Sequence, residues 1–183
     1  MSTFRKNEGR ISGTLAEEEL FGEVLGPIKF EWLQENRNEI GPLNYERTRE
    51  MVKKLQPWPD AFEPGTAFAD ELHMHLAQLL TPGDWKKLRF YTAVHHYFDY
   101  LHGVDAFFEL DTEVGTITVT LDASKKLKEE YKADVLVHYP QSLDPTDPGD
   151  KKNWQELMVE TCSNIYSIVN DKKEYLHEQQ RRR

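Results

Sequence analysis

The stretch that decides the fold is Gly103 to Tyr139, GVDAFFELDTEVGTITVTLDASKKLKEEYKADVLVHY. Val104 to Leu110 alternates, with Val104, Ala106, Phe108 and Leu110 on one side and Asp105, Phe107 and Glu109 on the other. Thr116 to Asp122 alternates too, with Ile117, Val119 and Leu121 inward and Thr118, Thr120 and Asp122 on the polar side. A period of two is the signature of a strand. The link Asp111 to Gly115 has hairpin length. Ala123 to Lys132 reads as a short polar helix. Val135-Leu136-Val137 is a solid apolar run, which suits a strand buried on both faces. A strand, a helix and a further strand predict a crossover that leaves two strands parallel. The expected fold is therefore α/β (α+β), with a central mixed sheet of three to four strands flanked by helices.

Working upstream, Asp84 to Leu101 is rich in aromatics and reads as one long helix, closed by Gly103 as glycine closes helices at a left-handed position. Thr66 is placed to cap a helix running to about Leu80, with Phe68, Leu72, Leu76 and Leu79 on one face. Pro57, Pro59 and Pro64 break the chain before it, and Trp58 and Phe62 are expected to pin that irregular stretch to the core. Three short helices are expected earlier, over Leu15–Leu25, Ile28–Ile40 and Tyr45–Leu55, interrupted by Gly26-Pro27 and Gly41-Pro42. Residues 1–13 read as a flexible arm. Downstream, the prolines and aspartates between Pro140 and Asp150 mark a surface loop. Trp154, Met158, Cys162, Ile165 and Val169 then form the stripe of a long helix from Asn153 to about Gln179. The organisation expected is a helical N-terminal extension, residues 1–64, packed on an α/β core of residues 65–183 that ends in this helix.

Composition narrows the function. The 183 residues are 38% hydrophobic and 30% charged, which suits one domain with a real core. A net charge of −9 argues against a protein that coats nucleic acid by charge alone. It leaves room for a local basic strip, of which Lys125, Lys126, Lys128 and Lys132 form one. The single cysteine, Cys162, excludes an internal disulfide and any multi-cysteine metal site, and its place on an apolar helix face suits inert packing. Met1 to Arg10 is polar and unlike a secretory signal, and no apolar stretch is long enough to span a bilayer. A cytoplasmic protein without a membrane partner is the expectation. No GxxxxGK[ST], GxGxxG or GxSxG motif occurs, so no phosphate-cradling loop or nucleophile elbow is expected.

The residues that demand explanation are carboxylates. Asp105 sits between Val104 and Ala106-Phe107-Phe108, where burial is costly unless the charge is paired, hydrogen-bonded or bound to metal. Asp122 ends the neighbouring strand and can face the same pocket. Two hard carboxylates a few ångströms apart suit Mg²⁺ or Mn²⁺, which activate water and neutralise phosphate charge. Lys125 or Lys126 could hold the attacking water or a phosphate oxygen, and Ser124 offers a hydroxyl. Glu71, on the flank of the helix capped by Thr66, is a candidate third carboxylate. Taken singly, Asp122 reads better as a helix cap, and Asp105 as the partner of an N-terminal lysine or arginine; their joint order is what favours a site. The histidines give a weaker signal. His95 and Asp99 are four apart and would share a helix face, so that with His75 they could form a transition-metal site. His73 and His75 point to different faces. His102 could sit at the mouth of the pocket near Asp105 and touch a phosphate.

The order of Glu71 on a helix, then GVDAFFEL, ITVTLDASKK and ADVLV, resembles the PD-(D/E)XK nuclease superfamily. The likeness covers roughly residues 66–140. It implies a restriction-endonuclease-like core and Mg²⁺- or Mn²⁺-dependent hydrolysis of phosphodiester bonds in DNA. It implies Asp105 and Asp122 as metal ligands, a lysine after Asp122 as base or charge stabiliser, and Glu71 as accessory acid and third ligand. The position for that lysine holds Ser124, and Lys125 and Lys126 follow it. The alternative expectation is a catalytically inactive nuclease-like protein that acts as an interaction module, with a protein partner or a second copy of itself. If the chain binds nucleic acid, Trp32, Trp58 and Trp85 could stack on bases.

Overall fold

A computed structural model describes residues 17–36, 43–81, 83–125, 131–139, 143 and 147–182. Residues 17–21 are helical and form α1, and α2 covers Phe30–Glu35. Helix α3 is Tyr45–Lys53, and α4 is Ala67–Leu79. A single 3-10 turn, Asp84–Lys87, leads into strand β1, Leu88–Thr92. Then come α5 (Tyr97–His102), β2 (Ala106–Thr112), β3 (Gly115–Ser124), β4 (Val135–His138) and the long helix α6 (Lys151–Arg181). The four strands form one mixed sheet in the order β1-β2-β3-β4. The pairs β1–β2 and β2–β3 are antiparallel, and β3–β4 is parallel.

The mixed α/β architecture, the hairpin and the parallel pair agree with the sequence reading. The segment Asp84 to Leu101 does not: it is a 3-10 turn, a strand, a tight turn and a short helix rather than one helix. Its apolar residues occupy both sides of a strand, Leu88 and Phe90 toward one face and Tyr91 toward the other. Such a two-sided run has no clear period, and only pairing with β2 decides it. At the edge of the sheet, Gln56 brackets Thr92, donating to its carbonyl and accepting its N–H at 2.9 Å each. Phe90 N–H donates to Ala61 O at 2.8 Å, so chain from the irregular 56–61 stretch covers an otherwise open edge.

The two faces of the sheet are covered by different elements. Leu88, Phe90, Ala106, Phe108, Leu110, Ile117, Val119, Leu121, Val135 and Val137 face the large core. Helix α4 supplies Phe68, Leu72 and Leu76 to it, and α6 supplies Trp154, Met158, Cys162, Ile165 and Val169. The opposite face carries Tyr91 and Phe107, which pack with Val52 of α3 and Phe98 of α5. The α6 stripe is as read from its spacing, and Thr66 caps α4 by accepting Ala69 N–H at 3.3 Å. Trp58 is buried against Phe90 with their rings 5.9 Å apart. Phe62 and Leu79, expected inward, are 37% and 45% exposed.

The N-terminal segment is tied into the sheet. Thr66 Oγ1 donates to Leu20 O at 2.6 Å, and Thr92 Oγ1 donates to Gly22 O at 2.7 Å. Gly22 has a φ of +72°, and a Cβ there would meet the Trp58 ring at 3.0 Å. The bend that ends α1 thus needs glycine on two counts. Leu20 and Phe21 are buried in the large core itself.

Candidate metal centre

Alternation along β3 turns Ile117, Val119, Leu121 and Ala123 into the large core. It therefore sends Thr118, Thr120 and Asp122 to the other face, the one covered by α3 and α5. The β2–β3 register ends at Ala106 opposite Leu121. Asp105 continues the pairing in its own way. Its N–H donates to Leu121 O at 2.9 Å, and its Oδ2 accepts Ala123 N–H at 2.7 Å. A side-chain oxygen thus takes the place of the next backbone acceptor. On the other side of Asp105, its carbonyl accepts Ala93 N–H at 2.7 Å. Asp105 and Asp122 are only 4% and 7% exposed.

Two more carboxylates join them. Asp99 lies in the first turn of α5, and Glu17 opens the described part of α1. One carboxylate oxygen from each of Glu17, Asp99 and Asp105 lies within 4.8 Å of the others. Asp122 bears on both aspartates through its charge. Burial, followed by the charges of Glu17, Asp99 and Asp122, pushes the Asp105 carboxyl well above the usual carboxylate range, against the Ala123 N–H. The Asp99 carboxyl is pushed up to about 7, first by burial and then by Glu17, with Asp122 adding to it.

This arrangement fits a divalent cation. The donors are all hard oxygens, which Mg²⁺ and Mn²⁺ prefer. They come from three separate elements onto one point, and the leading influences on Asp105 are negative charges and burial, none of them a cation. A bound divalent ion would reverse the sign of the local field.

The sequence candidates fare differently. Asp105 and Asp122 come together. Glu71 does not join them: α4 packs on the opposite face of the sheet with α6. There the Glu71 carboxylate accepts Trp154 Nε1–H at 2.7 Å and lies 3.7 Å from His75 Nε2. Glu71 and Trp154 border an opening of about 460 Å³ with Asp147 and Lys151. Ser124 is the last residue of β3 and Lys125 follows it, half-buried. Lys126 and Lys128 lie outside the described residues. Lys132 passes over Gly103, and its charge reaches His102. The polar helix expected over Ala123 to Lys132 begins as strand, since Ala123 and Ser124 pair with Val137 and His138. The cap expected of Asp122 is therefore not its role among the described residues.

The histidine expectations are also revised. His95 is not helical. It sits in the turn after β1 with a φ of +64°, and it shares no helix face with Asp99. Its Nε2 lies 2.8 Å from Glu18 Oε1 and 3.9 Å from Glu23 Oε1. His75, on α4, is on the other side of the sheet. His102 packs its ring against Tyr45 and Phe98, and burial, then Lys132, lowers its pKa.

Sequence reasoning missed Glu17, and it named Asp99 as a candidate ligand beside His95 and His75 rather than beside Asp105. Asp99 was read as part of a continuous helix, so its place in the first turn after a break was invisible. Glu17 stands in Ala16-Glu17-Glu18-Glu19, where nothing local distinguishes it from its neighbours. No family model matches the chain, and neither a curated protein nor a solved structure matches it. No helix among the described residues is long and apolar enough to cross a membrane.

Proposed function

We propose that the protein is a metal-dependent phosphodiesterase acting on DNA, a divergent member of the PD-(D/E)XK nucleases. The observation that carries this reading is the convergence of Glu17, Asp99 and Asp105, with Asp122 close enough to perturb both aspartates, in a buried setting. Glu17, Asp99, Asp105 and Asp122 would hold Mg²⁺ or Mn²⁺. The ion, when bound, supplies positive charge against a phosphate oxygen and makes water a better nucleophile. The residues of the chain do the rest. Asp105 is locked to β3 by two hydrogen bonds, so its second oxygen is held in one direction. Lys125 and Lys132 flank this end of the sheet and offer charge to a phosphate backbone, in place of the lysine that Ser124 replaces.

The test is cleavage of single- and double-stranded DNA by wild type and Asp105→Asn with EDTA, Mg²⁺ and Mn²⁺. Metal-dependent cleavage that the substitution abolishes is the expected result. No binding of Mn²⁺ and no cleavage of any nucleic acid would instead favour the inactive interaction module, and Ser124 at the lysine position is the observation on that side.

A further inference from the structure

We infer that His95 is a positioning residue for the carboxylate cluster, an inference that rests on the metal-binding reading of that cluster. Every polar group of His95 is engaged, and each bond leads toward the cluster or the segment that delivers it. Its N–H donates to Asp99 Oδ2 at 3.0 Å, which fixes one candidate ligand directly. Its carbonyl accepts Ile28 N–H at 2.7 Å, which holds the chain between α1 and α2. Its Nε2 lies 2.8 Å from Glu18 Oε1, on the residue next to Glu17. Its Nδ1 lies 3.1 Å from Tyr100 Oη, one residue beyond Asp99.

The hydrogen positions follow from chemistry. An ionised carboxylate only accepts, so Nε2 carries the hydrogen that meets Glu18. In the neutral ring Nδ1 then accepts from the Tyr100 hydroxyl. Tyr100 is itself held edge-on by Phe30 of α2, with ring centroids 5.4 Å apart. The ring of His95 is thus a strut between α1 and α5, the two helices that bring Glu17 and Asp99 to Asp105. Such a strut has work to do. When ionised, Glu17, Asp99 and Asp105 repel one another, and the strut holds α1 and α5 against that repulsion.

The backbone at position 95 is left-handed, with a φ of +64°. A histidine there is strained relative to glycine, and the position is held by the bonds it makes. This also provides a clean variant. His95→Asn tolerates the backbone and keeps the N–H to Asp99, but its side chain is too short to reach Glu18.

The deciding measurement is Mn²⁺ affinity by calorimetry for wild type, Asp105→Asn, His95→Asn, Glu18→Ala and the double variant His95→Asn/Glu18→Ala, with melting temperature in EDTA recorded alongside. Partners that orient metal ligands are worth roughly 10- to 100-fold in affinity. Wild type should bind and Asp105→Asn should not. His95→Asn and Glu18→Ala should each weaken Mn²⁺ by about 10-fold or more, and the double variant should weaken it no further. That non-additivity belongs to a shared strut, and a general loss of stability would not produce it. Wild-type affinity in His95→Asn, with Asp105→Asn still inactive, overturns the inference and leaves the metal site standing. Equal behaviour of wild type and Asp105→Asn overturns the metal reading, and the positioning role with it.

Discussion

Asp105 grips β3 on both sides of Asp122: its N–H donates to Leu121 O at 2.9 Å, and its carboxylate accepts Ala123 N–H at 2.7 Å. The bracket forces two acidic side chains into the same buried neighbourhood. One hydrogen-bonded aspartate closes the end of the ladder; the charges of Asp122, Asp99 and Glu17 then bear on it and raise its carboxyl further.

Asp105→Asn separates the hydrogen bond from the charge. Asparagine keeps an acceptor for Ala123 N–H and removes the carboxylate that three others repel. In EDTA at pH 8 the variant should melt higher than wild type, by a margin of about 1 kcal/mol or more, the scale on which single substitutions act through a named mechanism. With Mn²⁺ at 100 times its dissociation constant, wild type should gain about 2.7 kcal/mol and the variant nothing. Thermal unfolding with and without metal reads both effects. A variant that melts lower in EDTA would mean that the carboxylate is needed for folding.

The stability of the metal-free chain should fall as pH rises toward neutrality. Asp99 keeps its proton to about pH 7 when folded, against an ordinary value of 3.8, and Asp105 is raised as well. The folded state therefore binds more protons than the unfolded one between about pH 4 and pH 7. Stability from these groups is complete below about pH 4 and is lost as pH rises through 7. His96 acts in the opposite sense. Burial lowers it to about 4, and its Nδ1 is buried without a hydrogen-bond partner. Its contribution is present above about pH 6.5 and is lost as pH falls toward 4. Urea titrations from pH 4 to 8 in EDTA should show a slope that Asp99→Asn flattens on the neutral side and His96→Phe flattens on the acid side. An unchanged profile in both variants would remove the argument.

The sheet was legible where period two was clean. Ile117, Val119 and Leu121 against Thr118, Thr120 and Asp122 leave one reading, and it holds. Leu88 to Thr92 was not legible, because a strand covered on both faces loses its alternation. That single miss hid how Asp99 comes to lie beside Asp105. Once β1 is a strand, a turn at His95 is required, and Asp99 moves from mid-helix to the first turn of α5. Asp105 and Asp122 were legible because a charge inside an apolar strand is conspicuous in one dimension. Glu17 was not, because its meaning comes from α1 being tied to Thr66 and Thr92, 46 and 70 residues away in sequence from their partners.

A second buried carboxylate gives the contrasting case. Glu109 is 1% exposed on the same face of the sheet as Asp105. Lys53 Nζ lies 3.1 Å from it, with Arg89 at 3.6 Å and Arg49 at 3.7 Å. Here the compensation is complete within the protein. Glu109→Gln should leave three cations facing one another and destabilise by about 3 kcal/mol, the usual cost of breaking a buried pair. Denaturant unfolding at pH 7 checks this, and metal should not alter the difference. A loss below about 0.5 kcal/mol would place Glu109 with ordinary surface pairs.

The third carboxylate is decided by comparing Glu17→Gln with Glu71→Gln. Glu71 sits beyond the sheet from Asp105, where its carboxylate receives the indole N–H of Trp154. Glutamine retains an acceptor for that indole, so Glu71→Gln should cost about 1 kcal/mol of stability or less, and should leave Mn²⁺ affinity at the wild-type value. Glu17 has its oxygen within 4.8 Å of those of Asp99 and Asp105. Glu17→Gln removes one of the charges that raises both aspartates. Two consequences follow with opposite signs. Without metal the variant should be more stable than wild type above pH 7, since repulsion is relieved. With Mn²⁺ it should bind at least about 10-fold more weakly, since a hard anionic donor is gone. A structural role for Glu17 would move both readouts down together, so the opposed signs identify a ligand. The reverse pattern, with Glu71→Gln weakening Mn²⁺ and Glu17→Gln leaving it unchanged, would return the accessory acid to α4 and require α4 to leave the face it covers.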